Sequence, residues 1–147
     1  MTKLYIDGDA CPVTDICIKV CKSYDAECII ICDFNHNINK AGATTITVSK
    51  GSDSADFALV NMIDTKSSIV VTADYGLAAM CLAKGAKVIN PDGLLYTNDN
   101  IDSLLFYRHE AKKAMRAGKR PAHIPKRTSA QNEQFEKALT NLFKERL

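Results

Sequence analysis

Aspartates stand in this sequence where apolar runs end. Leu4-Tyr5-Ile6 stops at Asp7-Gly8-Asp9, Thr44 to Val48 is followed by Asp53 and Asp56, and Ile69-Val70-Val71-Thr72 gives way to Ala73-Asp74. Carboxylates brought to one place repel and raise each other's pKa unless a cation neutralises them. An oxygen-only set with no nearby His or Cys suits Mg²⁺ or Mn²⁺ rather than zinc. Such an ion lowers the pKa of bound water and stabilises in-line attack on phosphorus. Each acid alone also has a plainer reading. Asp53 and Asp74 are placed as helix N-caps, with Asp56 as a capping-box partner. Asp7 precedes Gly8 instead of a helix, so capping does not account for it.

A second group is basic. Arg108, Lys112, Lys113, Arg116, Lys119, Arg120, Lys126 and Arg127 are opposed over that stretch only by Glu110. On a helix, 108, 112, 116 and 119 share one face, a stripe that can track phosphates with salt-sensitive affinity. The plainer reading is a solvated face. Arg108 and Arg120 are the expected contacts to a scissile phosphate, with Lys112, Arg116 and Lys119 along the nucleic-acid path. Only Phe106 and Tyr107 interleave aromatics here, so base stacking gains little support from sequence.

The elements that must position these groups alternate. A strand at Leu4–Ile6 leads to a helix introduced by Pro12, whose stripe is Val13, Ile16, Cys17, Val20, Cys21 and Tyr24. Cys28 to Cys32 is a continuous apolar strand, residues 34–43 a loop, and Thr44 to Val48 a β-branched strand. A helix runs to about Ile63, a strand spans Ile69 to Thr72, and a helix from about Tyr75 to Lys84 stops at Gly85. Val88-Ile89 is a last short strand, and helices near 101–117 and 130–146 follow. The latter opens on Thr128-Ser129-Ala130-Gln131, a capping-box pattern. This order predicts a mainly parallel sheet of about five strands wrapped by helices. Right-handed crossovers then bring the strand C-terminal ends, and their acids, to one edge. We expect one domain, with an α/β core over 1–97 and a basic helical C-terminal extension over 98–147.

Composition sets the frame. Among 147 residues, 46% are hydrophobic and 24% charged, ordinary for a globular domain with its own core. The net charge of +2 is unevenly spread: 1–107 hold 8 Lys/Arg against 13 Asp/Glu, and 108–147 hold 11 against 4. An acidic body with a basic tail fits a metal site beside a phosphate-binding surface. The six cysteines form no CxxC pair and read as reduced, buried small hydrophobes, which fits a reducing compartment. Cys11, beside Pro12 at a helix start, is where a dipole can lower a thiol pKa. Met1 to Asp7 meets an acid before a signal-type run forms, and no stretch has membrane-spanning length. The expected location is the cytoplasm.

Three runs also carry a resemblance. Tyr5-Ile6-Asp7-Gly8-Asp9-Ala10-Cys11-Pro12, Lys50-Gly51-Ser52-Asp53-Ser54-Ala55-Asp56 and Val70-Val71-Thr72-Ala73-Asp74-Tyr75-Gly76-Leu77-Ala78 resemble the YaiI/YqxD family of uncharacterised bacterial proteins, over nearly the whole chain. That family is similar in turn to the PIN-like nuclease superfamily. The resemblance implies an α/β/α sandwich, a Mg²⁺ or Mn²⁺ site on Asp7, Asp56 and Asp74 with Asp9 and Asp53 in support, and hydrolysis of RNA, or DNA. Two rival readings stand beside it. Asp7-Gly8-Asp9-Ala10-Cys11 resembles the signature of haloacid-dehalogenase-type phosphatases, with Asp7 as nucleophile and Asp9 as general acid/base. A non-catalytic nucleic-acid-binding module is the other.

Overall fold

The structure is a computed structural model that describes residues 2–8, 11–33, 38–49, 54–64, 67–118 and 126–145. In chain order its elements are β1 (Lys3–Asp7), α1 (Thr14–Ser23), β2 (Glu27–Asp33), β3 (Thr44–Val48), α2 (Ser54–Met62) and β4 (Ser68–Val71). They continue with α3 (Tyr75–Ala83), β5 (Lys87–Ile89), β6 (Leu95–Tyr96), α4 (Ile101–Arg116) and α5 (Ser129–Glu145).

β1, β2 and β4 are uninterrupted apolar runs because both faces of each are covered. Leu4, Ile6, Ile30, Ile31, Ile69, Val70 and Val71 are all fully buried. Among the described residues the sheet has six strands, ordered β3-β2-β1-β4-β5-β6. All neighbours pair parallel except β5 and β6, where Val88 faces Tyr96 and Ile89 faces Leu95 in antiparallel register. β6 is the strand beyond the expected five. At two residues, Leu95 and Tyr96, it is too short to show a period in sequence.

Alternate residues feed two cores. On one face Leu4, Ile6, Cys28, Ile30, Ile69 and Val71 pack with Val13, Cys17 and Cys21 by α1 and with Phe135, Leu139, Leu142 and Phe143 of α5. On the other, Tyr5, Ile29, Ile31, Val70 and Val88 pack with Leu59, Leu77, Cys81 and Ile101, bringing in α2, α3 and α4. The result is a three-layer α/β/α sandwich. The chain starts at β1, builds outward to β3, returns to β4 beside β1 and builds the other way. The sheet therefore changes direction between β1 and β4, the crevice at which open α/β sheets bind ligands beyond the strand C-termini.

The stretch after residue 97 divides. α4 lies over α3, whereas α5 forms a layer with α1, stacking Phe143 on Tyr24 at 5.3 Å and joining Glu136 to Lys19 at 2.6 Å. α5 is thus part of the core, not an appendage. Its basic residues mask the stripe Phe135, Leu139, Leu142, Phe143, whose helical spacing was available to be read. Its start is the expected capping box: Thr128 N–H donates to Gln131 Oε1 at 2.8 Å and Gln131 N–H to Thr128 Oγ1 at 3.4 Å. Arg127 secures that start by donating to Asn132 Oδ1 at 2.7 Å, to Asp92 Oδ1 at 2.8 Å and to the Pro91 carbonyl. Gly85, at φ +89, takes the left-handed position after α3. α1 starts at Thr14, so Pro12 lies just before the helix and not in its first turn. No helix among the described residues is long and apolar enough to cross a membrane.

Candidate functional site

Asp7 ends β1 and Thr72 follows β4, on adjacent strands at the crevice. Gly8 N–H donates to the Ile31 carbonyl at 2.8 Å, pressing the end of β1 onto β2. A Cβ at Gly8 would stand 2.7 Å from Ile30 Cγ2 and 3.0 Å from the Ile31 carbonyl oxygen, so this close approach requires glycine.

Thr72 is 2% exposed, and its hydroxyl is committed on both sides. It donates to Asp7 Oδ2 at 3.0 Å and accepts the Asp74 N–H at 3.0 Å. A hydroxyl has one proton, so accepting from Asp74 turns that proton toward Asp7. Asp74 is the N-cap of α3, as its sequence position predicted. Its Oδ1 accepts from Gly76 N–H at 2.8 Å and Leu77 N–H at 3.2 Å. Arg108 of α4 adds a third donor to the same oxygen through Nη1 at 3.3 Å. Asp74 is therefore a cap and also a wall of an open cavity of about 440 Å³ lined by Asp7, Ala73, Asp74, Tyr75 and Arg108.

The Thr72 backbone is held as well. Tyr96 donates its hydroxyl to the Thr72 carbonyl at 3.2 Å and meets Tyr75 edge-on at 6.0 Å. Burial, then Tyr75 and the Asp74 carboxylate, push the Tyr96 phenol well above its ordinary range, so it remains a donor. Beneath the acids, Cys81 is pushed up to about 12, by burial first and then by the Asp56 carboxylate, with a smaller contribution from Asp7. One buried thiol thus feels both Asp7 and Asp56.

The three expected acids stand on three different elements. Asp7 and Asp74 share the cavity, whereas Asp56, in the first turn of α2, is not among its lining residues. Among the described residues no three His, Cys, Asp or Glu side chains form a group able to hold a metal ion. Asp9 and Asp53 lie outside the described residues. The donors at the cavity are still suitable for a hard cation. Mg²⁺ is commonly held by one or two carboxylates, with water and substrate phosphate completing its octahedron. Asp7 and Asp74 are such a pair.

The basic stripe also divides. Arg108 turns to Asp74, while Lys112 and Arg116 join His109 and Lys113 around a separate hollow of about 400 Å³ farther along α4. Lys119 and Arg120 are outside the described residues. The six cysteines are unbridged and all but Cys11 are buried. Burial raises the Cys11 thiol despite lowering contacts from the Val13 backbone and Thr14. Thr72 went unassigned in sequence, although its place two residues before Asp74 was the available signal.

A sequence profile of the uncharacterised YaiI/YqxD family matches residues 5–145. The chain belongs to that family. It is 50% identical over 137 residues to a "UPF0178 protein" of Ruminiclostridium cellulolyticum, covering 93% of this chain and 89% of the relative. It is 44% identical over 144 residues to a "UPF0178 protein" of Exiguobacterium sibiricum, covering 98% of each. Among solved structures, a mutant of Rae1 (YacP) from Bacillus subtilis aligns over 100% of both chains with a TM-score of 0.46 and 13% identity. The YaiI/YqxD match includes Asp7, Thr72, Asp74 and Arg108, so the whole cavity lies within the family's extent.

Proposed function

We propose that this YaiI/YqxD protein is a divalent-metal-dependent nuclease that hydrolyses phosphodiester bonds of RNA at the cavity between β1 and β4. The observation that carries the reading is the pairing of Asp7 and Asp74 through Thr72, opposite Arg108, at the switch point of the sheet. The sequence resemblance to PIN-like nucleases supports it.

Asp7 and Asp74 would hold Mg²⁺ or Mn²⁺, which when bound supplies a water of lowered pKa and countercharge for the phosphoryl oxygens. Thr72 keeps Asp7 Oδ2 in one orientation, so the carboxylate is preorganised and not free to rotate. Arg108 reaches across from α4 with a planar guanidinium suited to two phosphate oxygens. With a phosphodiester in the cavity, Arg108 divides its donors between Asp74 and the phosphate. Attack by water on phosphorus breaks one P–O bond and leaves a phosphate monoester and a hydroxyl. Asp56, Asp9 and Asp53 complete the proposed acidic surroundings.

Incubation of the full chain with labelled RNA and DNA over a range of Mn²⁺ and Mg²⁺ concentrations tests this. Wild-type cleavage of RNA that EDTA abolishes and Asp74→Asn removes is expected. No cleavage of any RNA or DNA at any metal concentration overturns it.

A further inference from the structure

The half of α4 beyond Arg108 carries a surface that the cavity does not use. Among the described residues, His109, Lys112, Lys113 and Arg116 line a hollow of about 400 Å³, and none of the four makes an ion pair. Only Glu110 is acidic between residue 103 and the end of α4. The uncompensated cations Lys112, Lys113 and Arg116 attract an anion with several charges.

The same surface has an aromatic end. Phe106 is 66% exposed, an unusual position for a phenylalanine in a helix whose apolar face already seats Ile101, Leu104 and Leu105 against the core. It stands three residues before His109 and seven before Lys113, steps that put the three side chains on one face. It therefore shares a helix face with two residues that line the hollow. A flat apolar ring beside clustered cations suits a ligand with both phosphates and unpaired bases, as single-stranded nucleic acid has. A-form duplex would hide its base faces from Phe106.

We infer that α4 is a docking track for single-stranded RNA, on which His109, Lys112, Lys113 and Arg116 hold successive phosphates and Phe106 stacks an unpaired base. The choice of RNA rests on the function proposed above, but the binding requires no cleavage. Arg108 and Arg116 are about 12 Å apart along the helix axis, at about 1.5 Å per residue. The track therefore extends along α4 from the residue that lines the acid cavity.

The test is fluorescence anisotropy in EDTA, with the full chain and a labelled, unstructured single-stranded RNA, its duplex, the same sequence as single-stranded DNA, and a polyglutamate peptide. Single-stranded RNA is expected to bind more tightly than the other three. Lys112→Ala, Lys113→Ala and Arg116→Ala together should weaken binding at least tenfold and flatten the log–log salt slope by about 2, as three lost phosphate contacts require. Phe106→Ala should weaken it about tenfold with the salt slope unchanged, and Phe106→Trp should restore it. All these side chains are exposed, and circular dichroism confirms that the variants fold. Equal binding by the triple variant, equal affinity for duplex or DNA, preference for polyglutamate, or no effect of Phe106→Ala each overturns the inference. Tight binding that depends on α4 without any cleavage refutes only the nuclease. Cleavage indifferent to these substitutions refutes only the track.

Discussion

Thr72 Oγ1 lies 3.0 Å from Asp7 Oδ2, a bond between residues 65 apart in sequence. Because the same oxygen receives the Asp74 N–H, one buried hydroxyl sets both cavity acids. Thr72→Val keeps the shape but leaves an acceptor and a donor without this partner. The expected cost is roughly 1–3 kcal/mol, read as a lower urea midpoint with an unchanged m-value. Nuclease activity should fall at least tenfold, and Thr72→Ser should recover most of both. Full activity in Thr72→Val would remove the hydroxyl from the site.

Asp74 has two duties that substitution can separate. Asn is about as good an N-cap as Asp, whereas Ala loses roughly 0.5–2 kcal/mol. Asp74→Asn is therefore expected to retain near-wild-type stability while losing cleavage and weakening Mn²⁺ binding measured by calorimetry. Asp74→Ala should lose all three. If Asp74→Asn cleaves normally, Asp74 is a cap alone.

Gly8→Ala tests the close approach at the end of β1. The new methyl meets Ile30 Cγ2 at 2.7 Å and the Ile31 carbonyl oxygen at 3.0 Å, and the latter is backbone that cannot rotate away. Overpacking of this kind costs about 1–3 kcal/mol. Thermal melts should report the loss, and activity should fall further than stability because Asp7 is the adjoining residue.

Alkali should loosen the fold through Cys81. Its native thiol holds the proton up to about 12 against an ordinary 9.0, so the stabilisation is complete below pH 9 and fades as pH rises toward 12. The raised Tyr96 phenol adds in the same direction. Denaturation midpoints should decline above pH 9 more steeply in wild type than in Cys81→Ala, which lacks the thiol. At pH 8, Cys81 should resist iodoacetamide until the protein unfolds.

Arg127 reads as part of a basic stripe but serves as a clamp, with Asp92, Asn132 and the Pro91 carbonyl as partners. Arg127→Lys cannot reproduce that planar fork. Faster amide exchange is expected in the first turn of α5, with RNA affinity little changed. A large loss of RNA affinity would instead assign Arg127 to the binding surface.

Local patterns along the chain determined most of the architecture. Continuous apolar runs marked β1, β2 and β4, and Asp74, Gly85 and the Thr128–Gln131 box marked helix ends, because caps and buried strands depend on near neighbours. The cysteine spacing likewise read as small buried hydrophobes, and five of the six are buried. Tertiary structure decided that Asp7 and Asp74 line one cavity. They do so because β1 and β4 are adjacent at the reversal of the sheet. It also decided that Arg108 faces the acids while Lys112 and Arg116 face another hollow, and that α5 belongs to the core. Those outcomes depend on strand order and helix docking, which bring together residues with no local relation, and a pattern of near neighbours cannot encode the distances between them.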